Sequence, residues 1–132
     1  MTLEEYFKGD HFARLIGAEL IEIKEGYAKA RMLVTYDHLN GGGVCQGGAI
    51  FTLADLAFAG AVNSHGTLTL STNANIVYVH PAQEGYLYAE AHEIVNHHRL
   101  PYAEVRITDA SGELIAILTS SGYRKKETLP IG

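Results

Sequence analysis

Residues Ala49 to Ser64 read AIFTLADLAFAGAVNS, and this sixteen-residue stretch decides the fold. Its only polar side chains are Thr52, Asp55, Asn63 and Ser64. A helix that is apolar on nearly all of its faces is typical of a buried position. A membrane span is excluded because the stretch is shorter than the roughly 20 residues that a bilayer requires and has a carboxylate in its middle. We therefore expect one buried central helix over residues 47–64.

Strands are predicted on both sides of this helix. Before it, Ile21 to Thr35 read IEIKEGYAKARMLVT, in which a Lys-Glu-Gly turn separates two strands. After it, alternation of apolar and polar side chains predicts four strands in hairpin succession, over Thr67–His80, Tyr86–His98, Tyr102–Asp109 and Glu113–Tyr123. Together these elements predict an α+β fold, in which an antiparallel sheet of about six strands wraps around the helix.

The length of 132 residues indicates a single domain, residues 1–132. Residues 1–16 carry apolar side chains at roughly helical spacing, broken by Gly9, which predicts short helical pieces at the N-terminus. Residues 125–132 are expected to form a frayed tail.

Composition narrows the classes of function. The net charge is −5, and the longest basic run is Arg124-Lys125-Lys126, so a nucleic-acid partner is not expected. A single cysteine cannot form an intrachain disulfide, and neither a secretory leader nor a membrane-spanning run is predicted. These features predict a soluble, cytoplasmic protein that does not bind a membrane.

Asp55 is the only ionisable residue in the predicted central helix. An unpaired buried carboxylate costs several kcal/mol or has its pKa forced upward. The helix dipole does not compensate, because its influence is confined to the first turn and Asp55 lies eight residues beyond Gly47. The carboxylate is therefore either satisfied by buried hydroxyls or an arginine, or it is a functional group.

Gly47 and Gly48 stand at the predicted start of this helix. Because they lack side chains, a ligand can approach backbone amides that have no intrahelical acceptor, and such amides can form an oxyanion hole. The alternative is that the glycines only permit tight packing or unusual backbone dihedrals. A phosphate-binding loop is not expected, since no lysine follows in the required pattern.

The stretch from His38 to Ser64, HLNGGGVCQGGAIFTLADLAFAGAVNS, resembles the hotdog-fold thioesterases of the phenylacetate-pathway (PaaI-like) type. Ala74–Ala82 (ANIVYVHPA) and Arg99–Tyr123 are similar to the remaining strands of that family, so the resemblance spans nearly the whole chain. It implies a hotdog fold and hydrolysis of an acyl- or aryl-acyl-coenzyme A to the free acid and coenzyme A. No separate cofactor is implied, because coenzyme A is part of the substrate.

The resemblance also implies roles for individual residues. Asp55 corresponds to the catalytic carboxylate, as general base or nucleophile, and the Gly47 N–H to the donor that polarises the thioester carbonyl. Asn40, Gln46 and Ser71 correspond to groups that position the thioester or water. Gln46 replaces the histidine usual in this family, and an amide carries no proton at neutral pH. Thr72 is the alternative to Ser71 in this resemblance. From their side chains alone, Phe51 and Phe58 are expected to line the acyl pocket and Arg99 to meet the coenzyme A phosphates, and Gly48 is a further expected substrate contact.

Other kinds of site have weaker support in the pattern. His92, His97 and His98 form the only histidine cluster, but strand alternation points His97 away from the other two, so no metal site is expected. Cys45 and His38 lack a third, orienting group for thiol catalysis. Two other functions stay open: a non-catalytic hotdog protein that binds acyl-coenzyme A, and a hotdog hydratase or dehydratase.

The spacing of Gly47 and Asp55 bears on the oligomeric state. Eight residues span about 12 Å along a helix, which is too far for one thioester to contact both. A two-fold dimer with antiparallel central helices solves this by sharing each site between two chains. We therefore expect a homodimer with composite active sites, which the resemblance also implies, paired again as a dimer of dimers.

Overall fold

The computed structural model describes all residues from Met1 to Gly132. The helices are α1 (Leu3–Phe7), α2 (His11–Leu15) and α3 (Gly47–Val62), and Tyr36–His38 form one 3-10 turn. The strands are β1 (Ala18–Lys24), β2 (Tyr27–Val34), β3 (Thr67–Tyr78), β4 (Gly85–Val95), β5 (Tyr102–Asp109) and β6 (Leu114–Thr128). All six strands form one antiparallel sheet in the order β1-β2-β4-β5-β6-β3. This sheet curls around α3, which confirms the predicted α+β hotdog fold.

Small side chains allow α3 to lie close to the sheet. Alanine fills many inward positions of the central strands, including the fully buried Ala28, Ala30, Ala89, Ala91, Ala103 and Ala116. At Gly60 on α3, an added Cβ would lie only 2.8 Å from the Cβ of Ala28. The contact therefore requires a glycine on the helix, and it fixes the distance between α3 and β2.

One side of α3 is not covered by the sheet, which corrects the prediction of a helix buried on nearly all faces. Besides Gly47 and Ala49 in the first turn, the half-buried or exposed residues of α3 follow one side of the helix: Gly48, Phe51, Thr52, Asp55 and Ala59. We call these five residues the uncovered stripe. Sequence periodicity missed the stripe because two of its members, Phe51 and Ala59, are themselves apolar.

The two edges of the sheet differ in character. The β1 edge carries charged residues, including Glu22 and Lys24, and a register shift between Leu20 and Glu22. The β3 edge has twelve residues and no charged side chain, and its residues 70–75 are all exposed. Both edge strands contain register shifts, but only β1 carries charged side chains, which discourage edge-to-edge pairing, so the β3 edge is the more open to a further strand.

The ends of several elements differ from the sequence-based prediction. The expected frayed tail, residues 125–132, is wrong for its first four residues, because β6 continues to Thr128 and pairs with the start of β3. After it, Leu129 is buried and its N–H donates to Gly66 O at 2.8 Å. The central helix ends at Val62, because the Asn63 side chain instead bonds the backbone of Thr69. None of the helices has the length and apolar character that crossing a bilayer requires.

Candidate active site

The first turn of α3 leaves one backbone amide free. Gly48 N–H donates to Gln46 Oε1 at 3.0 Å, and the N–H groups of Ala49 and Ile50 donate to Gln46 O at 3.0 and 3.4 Å. Gly47 N–H donates to no acceptor in the chain. The Gly47 amide is therefore free to donate a hydrogen bond to a ligand at this helix start.

Gln46 caps the helix through its side-chain oxygen. Its backbone N–H donates to His38 O at 2.8 Å, and its Oε1 accepts the Gly48 N–H. A Cβ at Gly48 would lie 2.6 Å from Oε1, so glycine leaves the room that the cap needs. The Nε2 hydrogens of Gln46 make no bond within the chain and remain available as donors to a ligand.

Asn40 organises the loop that leads into α3. Its Oδ1 accepts the N–H of Gly42 at 2.9 Å and of Val44 at 3.3 Å, and its backbone N–H donates to Val44 O at 2.8 Å. Gly43 in this loop has φ = 80°, a conformation that favours glycine. The loop geometry thus leaves the Nδ2 group of Asn40 as its free donor.

Two grooves flank the start of α3, and Asn40 borders both of them. One has a volume of about 720 Å³, lies between α2 and α3, and is lined by Phe12, Ile16, Gln46, Gly48 and Thr52, among others. The second has a volume of about 400 Å³, lies between α3 and the end of β3, and includes Gly47, Ile50 and Tyr78. Gln46 therefore lines the larger groove, Gly47 lines the smaller one, and Asn40 lies between the two.

His38 ties the N-terminal helices to this region. Its Nδ1 accepts the Thr35 N–H at 2.9 Å, so the neutral ring carries its proton on Nε2 and donates it to Ile16 O at 2.6 Å. Because Ile16 lines the larger groove, this bond holds the groove wall in place.

Asp55 lies in the uncovered stripe, two turns beyond Gly47, and makes no hydrogen bond or ion pair within the chain. Burial raises the pKa of its carboxyl, and the nearby Asp10 carboxylate adds to the rise. Asp10 caps α2 by accepting the Ala13 N–H at 3.0 Å. Asp55 borders neither groove of its own chain. Asp55 and Gly47 lie on the same helix, but a single chain does not bring them into one site.

Ser71 and Thr72 lie on β3 beside a register shift between Ser71 and Asn73. Ser71 pairs with the buried Gly122 and its hydroxyl lies 3.1 Å from Ser120 Oγ, so it is on the inner face of the sheet. The Thr72 hydroxyl donates to Ser121 O at 3.2 Å. Neither side chain borders the two grooves of its own chain.

The remaining predicted substrate contacts are distributed unevenly. Phe51 is half-buried in the uncovered stripe, whereas Phe58 is buried in the core and is not brought to the site. Arg99 lies at the opposite end of α3, where it donates to Arg124 O at 3.3 Å and Arg124 in turn donates to the carbonyl of Val62. Within one chain, Arg99 is remote from Gly47.

The alternative nucleophile and metal ligands occupy other environments. Burial raises the pKa of the Cys45 thiol to about 11, so it stays protonated at neutral pH. His97 and His98 stack on each other with centroids 4.3 Å apart, and His92 packs on Tyr27. No three His, Cys, Asp or Glu side chains gather into a group that could hold a metal ion.

Sequence reasoning missed three contacts that shape this site. They are the Tyr78 hydroxyl bond to Gly47 O, the His38 bond to Ile16 and the approach of Asp10 to Asp55. All three join segments that are more than fifteen residues apart in sequence. No local pattern signals such contacts.

Comparison with known proteins identifies the family. Residues 42–116, from the loop before α3 into β6, match the thioesterase superfamily. The chain belongs to the thioesterase superfamily. It is therefore a thioester hydrolase. Its similarity to PaaI, in sequence and in structure, confirms the resemblance stated above.

Two curated relatives and one solved structure illustrate the similarity. The thioesterase is 42% identical over 125 residues to an Archaeoglobus fulgidus protein provisionally named an esterase, covering 94% of this chain and 81% of that protein. It is 38% identical over 79 residues to the Escherichia coli acyl-coenzyme A thioesterase PaaI, covering 60% and 56% of the two chains. The structure of E. coli PaaI, from the phenylacetic acid degradation operon, superposes with a TM-score of 0.90 at 30% identity, covering 94% of this chain and 91% of that one.

Proposed function

We propose that this thioesterase hydrolyses an acyl- or aryl-acyl-coenzyme A to the free acid and coenzyme A. The observation that carries the proposal is the pairing, on one helix, of a single free amide at Gly47 with an uncompensated carboxylate at Asp55. An oxyanion donor and a base or nucleophile are the two groups that acyl transfer from a thioester needs. The similarity to an enzyme named acyl-coenzyme A thioesterase supports this substrate class.

In the proposed mechanism, the Gly47 N–H polarises the thioester carbonyl and stabilises the negative charge that develops on its oxygen. Asp55 either takes a proton from the water that attacks the carbonyl, or attacks the carbonyl itself and expels the thiolate to form a mixed anhydride, which water then hydrolyses to the free acid and Asp55. The departing thiolate has a conjugate-acid pKa of about 8.5, so it leaves without a strong general acid. Asn40, Gln46 and Ser71 orient the thioester or the water, and the Gln46 amide does so as a donor.

The active site is proposed to be composite, with Gly47 from one chain and Asp55 from another. The two lie about 12 Å apart along α3, so one thioester cannot bridge them within a chain. Two features of the chain support a second copy beside this helix: the uncovered stripe and the open β3 edge. Pairing of β3 edges extends the sheet across a homodimer, and two such dimers then form the expected dimer of dimers.

An antiparallel pair of α3 helices that brings Gly47 opposite Asp55 is centred on residue 51, midway between them. The residue there is Phe51, the largest apolar side chain of the uncovered stripe. In this pairing the Val62 end of each helix extends beyond the Gly47 end of its partner. Arg99 is bonded to that end through Arg124, and so approaches the partner's site, where it is proposed to meet the coenzyme A phosphates. Gly48 and Thr72 remain proposed substrate contacts.

The experiment that tests the function is incubation with a panel of acyl-coenzyme A esters and a thiol-detecting dye. We expect thiol release that is proportional to enzyme concentration and saturates with substrate. A protein that only binds acyl-coenzyme A would give a binding isotherm without thiol release. A hydratase would change the absorbance of an enoyl-coenzyme A ester without releasing thiol. Either result would contradict the proposal.

A further inference from the structure

Tyr78, at the end of β3, contacts the residue that carries the free amide. Its hydroxyl donates to Gly47 O at 2.8 Å, and its ring atoms lie 2.9 Å from the position that a Cβ on Gly47 would take. We propose that Tyr78 is a positioning residue, which holds the Gly47 amide in the orientation that polarises the thioester carbonyl. This inference rests on the proposed function.

The Gly47–Gly48 peptide is held from both sides. Tyr78 binds its carbonyl oxygen, and Gln46 Oε1 binds its N–H at 3.0 Å. With this peptide plane fixed, the first turn of α3 cannot rock, and the Gly47 N–H that precedes it keeps one direction. A donor that is already oriented needs no reorganisation during the reaction, which is why preorganised amides are effective in oxyanion holes.

The tyrosine is itself well anchored. Its backbone pairs with that of Ala116, which is fully buried in β6, so the ring projects from the inner face of the sheet across to α3. Burial raises the pKa of the Tyr78 phenol, with a smaller contribution from Cys45, so the hydroxyl stays protonated as a donor at neutral pH. The contact therefore persists at the neutral pH at which the Asp55 carboxylate is proposed to act.

The same contact explains why residue 47 is glycine. Gly47 does not adopt a positive φ, so its backbone would accept any residue. What excludes a side chain is the Tyr78 ring, which occupies the space of a Cβ. Alanine at position 47 would retain the amide donor but would displace the ring, and this separates the positioning role from the donor role.

The first test compares Tyr78→Phe with Tyr123→Phe. Tyr123 is exposed to a similar extent, 46% against 48%, and its hydroxyl makes no hydrogen bond, so it is the matched control. Loss of the Tyr78 hydroxyl should lower kcat about tenfold while KM changes less than about twofold, because the loosened donor acts mainly in the transition state. The melting temperature should stay within about 5 °C of wild type, and Tyr123→Phe should match wild type in kcat.

The second test is a double-mutant cycle with Gly47→Ala and Tyr78→Ala. Introduced into the wild-type protein, Gly47→Ala should lower kcat by at least as much as Tyr78→Phe does, because its Cβ displaces the Tyr78 ring. In the Tyr78→Ala background the same change should cost less than about threefold, since the clash has been removed. Equal costs in both backgrounds would overturn the inference, and so would a Tyr78→Phe variant with wild-type kcat.

The tests separate the two proposals. If the wild-type protein releases no thiol from any ester in the panel, the proposed function fails and this inference fails with it. If wild type is active and the cycle is additive, only the role of Tyr78 is overturned. Circular dichroism of every variant checks that the changes in kcat do not come from unfolding.

Discussion

At the scale of single residues, Asp55 has an environment that suits catalysis better than stability. Its carboxylate is half-buried and lacks any partner in the chain. Asp55→Asn should lower turnover about a thousandfold, because the amide can act neither as base nor as nucleophile. The measurement is kcat on an ester that wild type hydrolyses well, and turnover within a few-fold of wild type would contradict the assignment.

The same substitution should leave the fold intact and stabilise it at neutral pH. Since burial raises the pKa of Asp55 above its ordinary value of 3.8, ionised Asp55 disfavours the folded state. The gain from Asn is full above the folded-state pKa and disappears as the pH falls through that pKa towards 3.8. Thermal melts of both proteins across this window provide the check.

Asp10 should tune the pH dependence of activity. Its negative charge contributes to the raised pKa of Asp55, and Asp55 must be ionised to act as base or nucleophile. Asp10→Asn should therefore move the acid limb of kcat/KM to lower pH, while the asparagine still caps α2. Glu4→Gln, an exposed acid on α1, is the control and should leave the profile unchanged. An unshifted acid limb in Asp10→Asn would show that the two carboxylates do not interact.

Gln46→His should retain activity at neutral pH and lose it on acidification. A neutral imidazole can accept the Gly48 N–H as the Gln46 side chain does, whereas an imidazolium has no acceptor. The loss should therefore follow protonation of the ring, around pH 6.5 for an unperturbed histidine. Identical pH profiles for the variant and wild type would show that the cap does not influence catalysis.

At the scale of elements, the far end of α3 is secured by buried charges. The side chains of Glu93 and Arg124 are 4% and 11% exposed and lie 3.4 Å apart, and Glu93 also bonds His65 at 2.7 Å. Glu93→Gln should destabilise the fold by about 3 kcal/mol, because it leaves the Arg124 charge buried without its partner. Glu104→Gln breaks an exposed pair with Arg106 and is the control, which should lower the free energy of unfolding by well under about 1 kcal/mol. Urea titrations of wild type and both variants measure these free energies.

Sequence patterns predicted the elements well where the signal is local. The apolar run of α3, the glycines at its start and the alternation in β5 are each signalled by residues that are neighbours in sequence. The arrangement of the sheet was implied by the family resemblance. The buried state of Arg124 could not be read from a basic triplet, because its partners Glu93 and Asn96 come from another strand and loop. The extension of β6 was likewise hidden, since Lys125 and Lys126 are polar and the pairs with β3 that hold this segment lie on either side of them, at Arg124 and Thr128.

In the candidate site, too, residues with a local sequence signal were predicted, whereas those that depend on long-range packing were not. Asp55 and Gly47 stood out because each breaks a local rule, an acid in an apolar helix and paired glycines at a helix start. Phe58 looked equally suited to a pocket, but sequence cannot tell which apolar face of a helix meets the sheet. The larger groove depends on α2, and the position of α2 depends on the His38 bond to Ile16.

At the scale of the whole molecule, the proposed composite site predicts complementation between damaged chains. Asp55→Ala keeps the Gly47 amide, whereas Gly47→Pro keeps Asp55 but has no N–H, and its ring also displaces Tyr78. Refolded together in equal amounts, about half of the dimers are mixed, each with one intact and one doubly damaged site. Activity should recover to about a quarter of wild type.

The complementation test requires that both parents are folded and inactive alone, which circular dichroism and the thiol assay establish. Subunit exchange is verified by mass spectrometry of the mixture. A mixture that exchanges chains and yet stays inactive would rule out sites shared between chains.

The uncharged β3 edge also has a consequence for how this protein behaves when it is diluted or heated. An edge strand without Lys, Pro or an inward charge is a template for any other extended chain. Once separated from its partner in the proposed homodimer, the chain exposes this edge together with Leu70 and Val77, which are 53% and 55% exposed in the single chain. Thermal inactivation should therefore be irreversible and proceed through aggregation, and a lysine in place of Asn75 would blunt the edge at the expense of assembly.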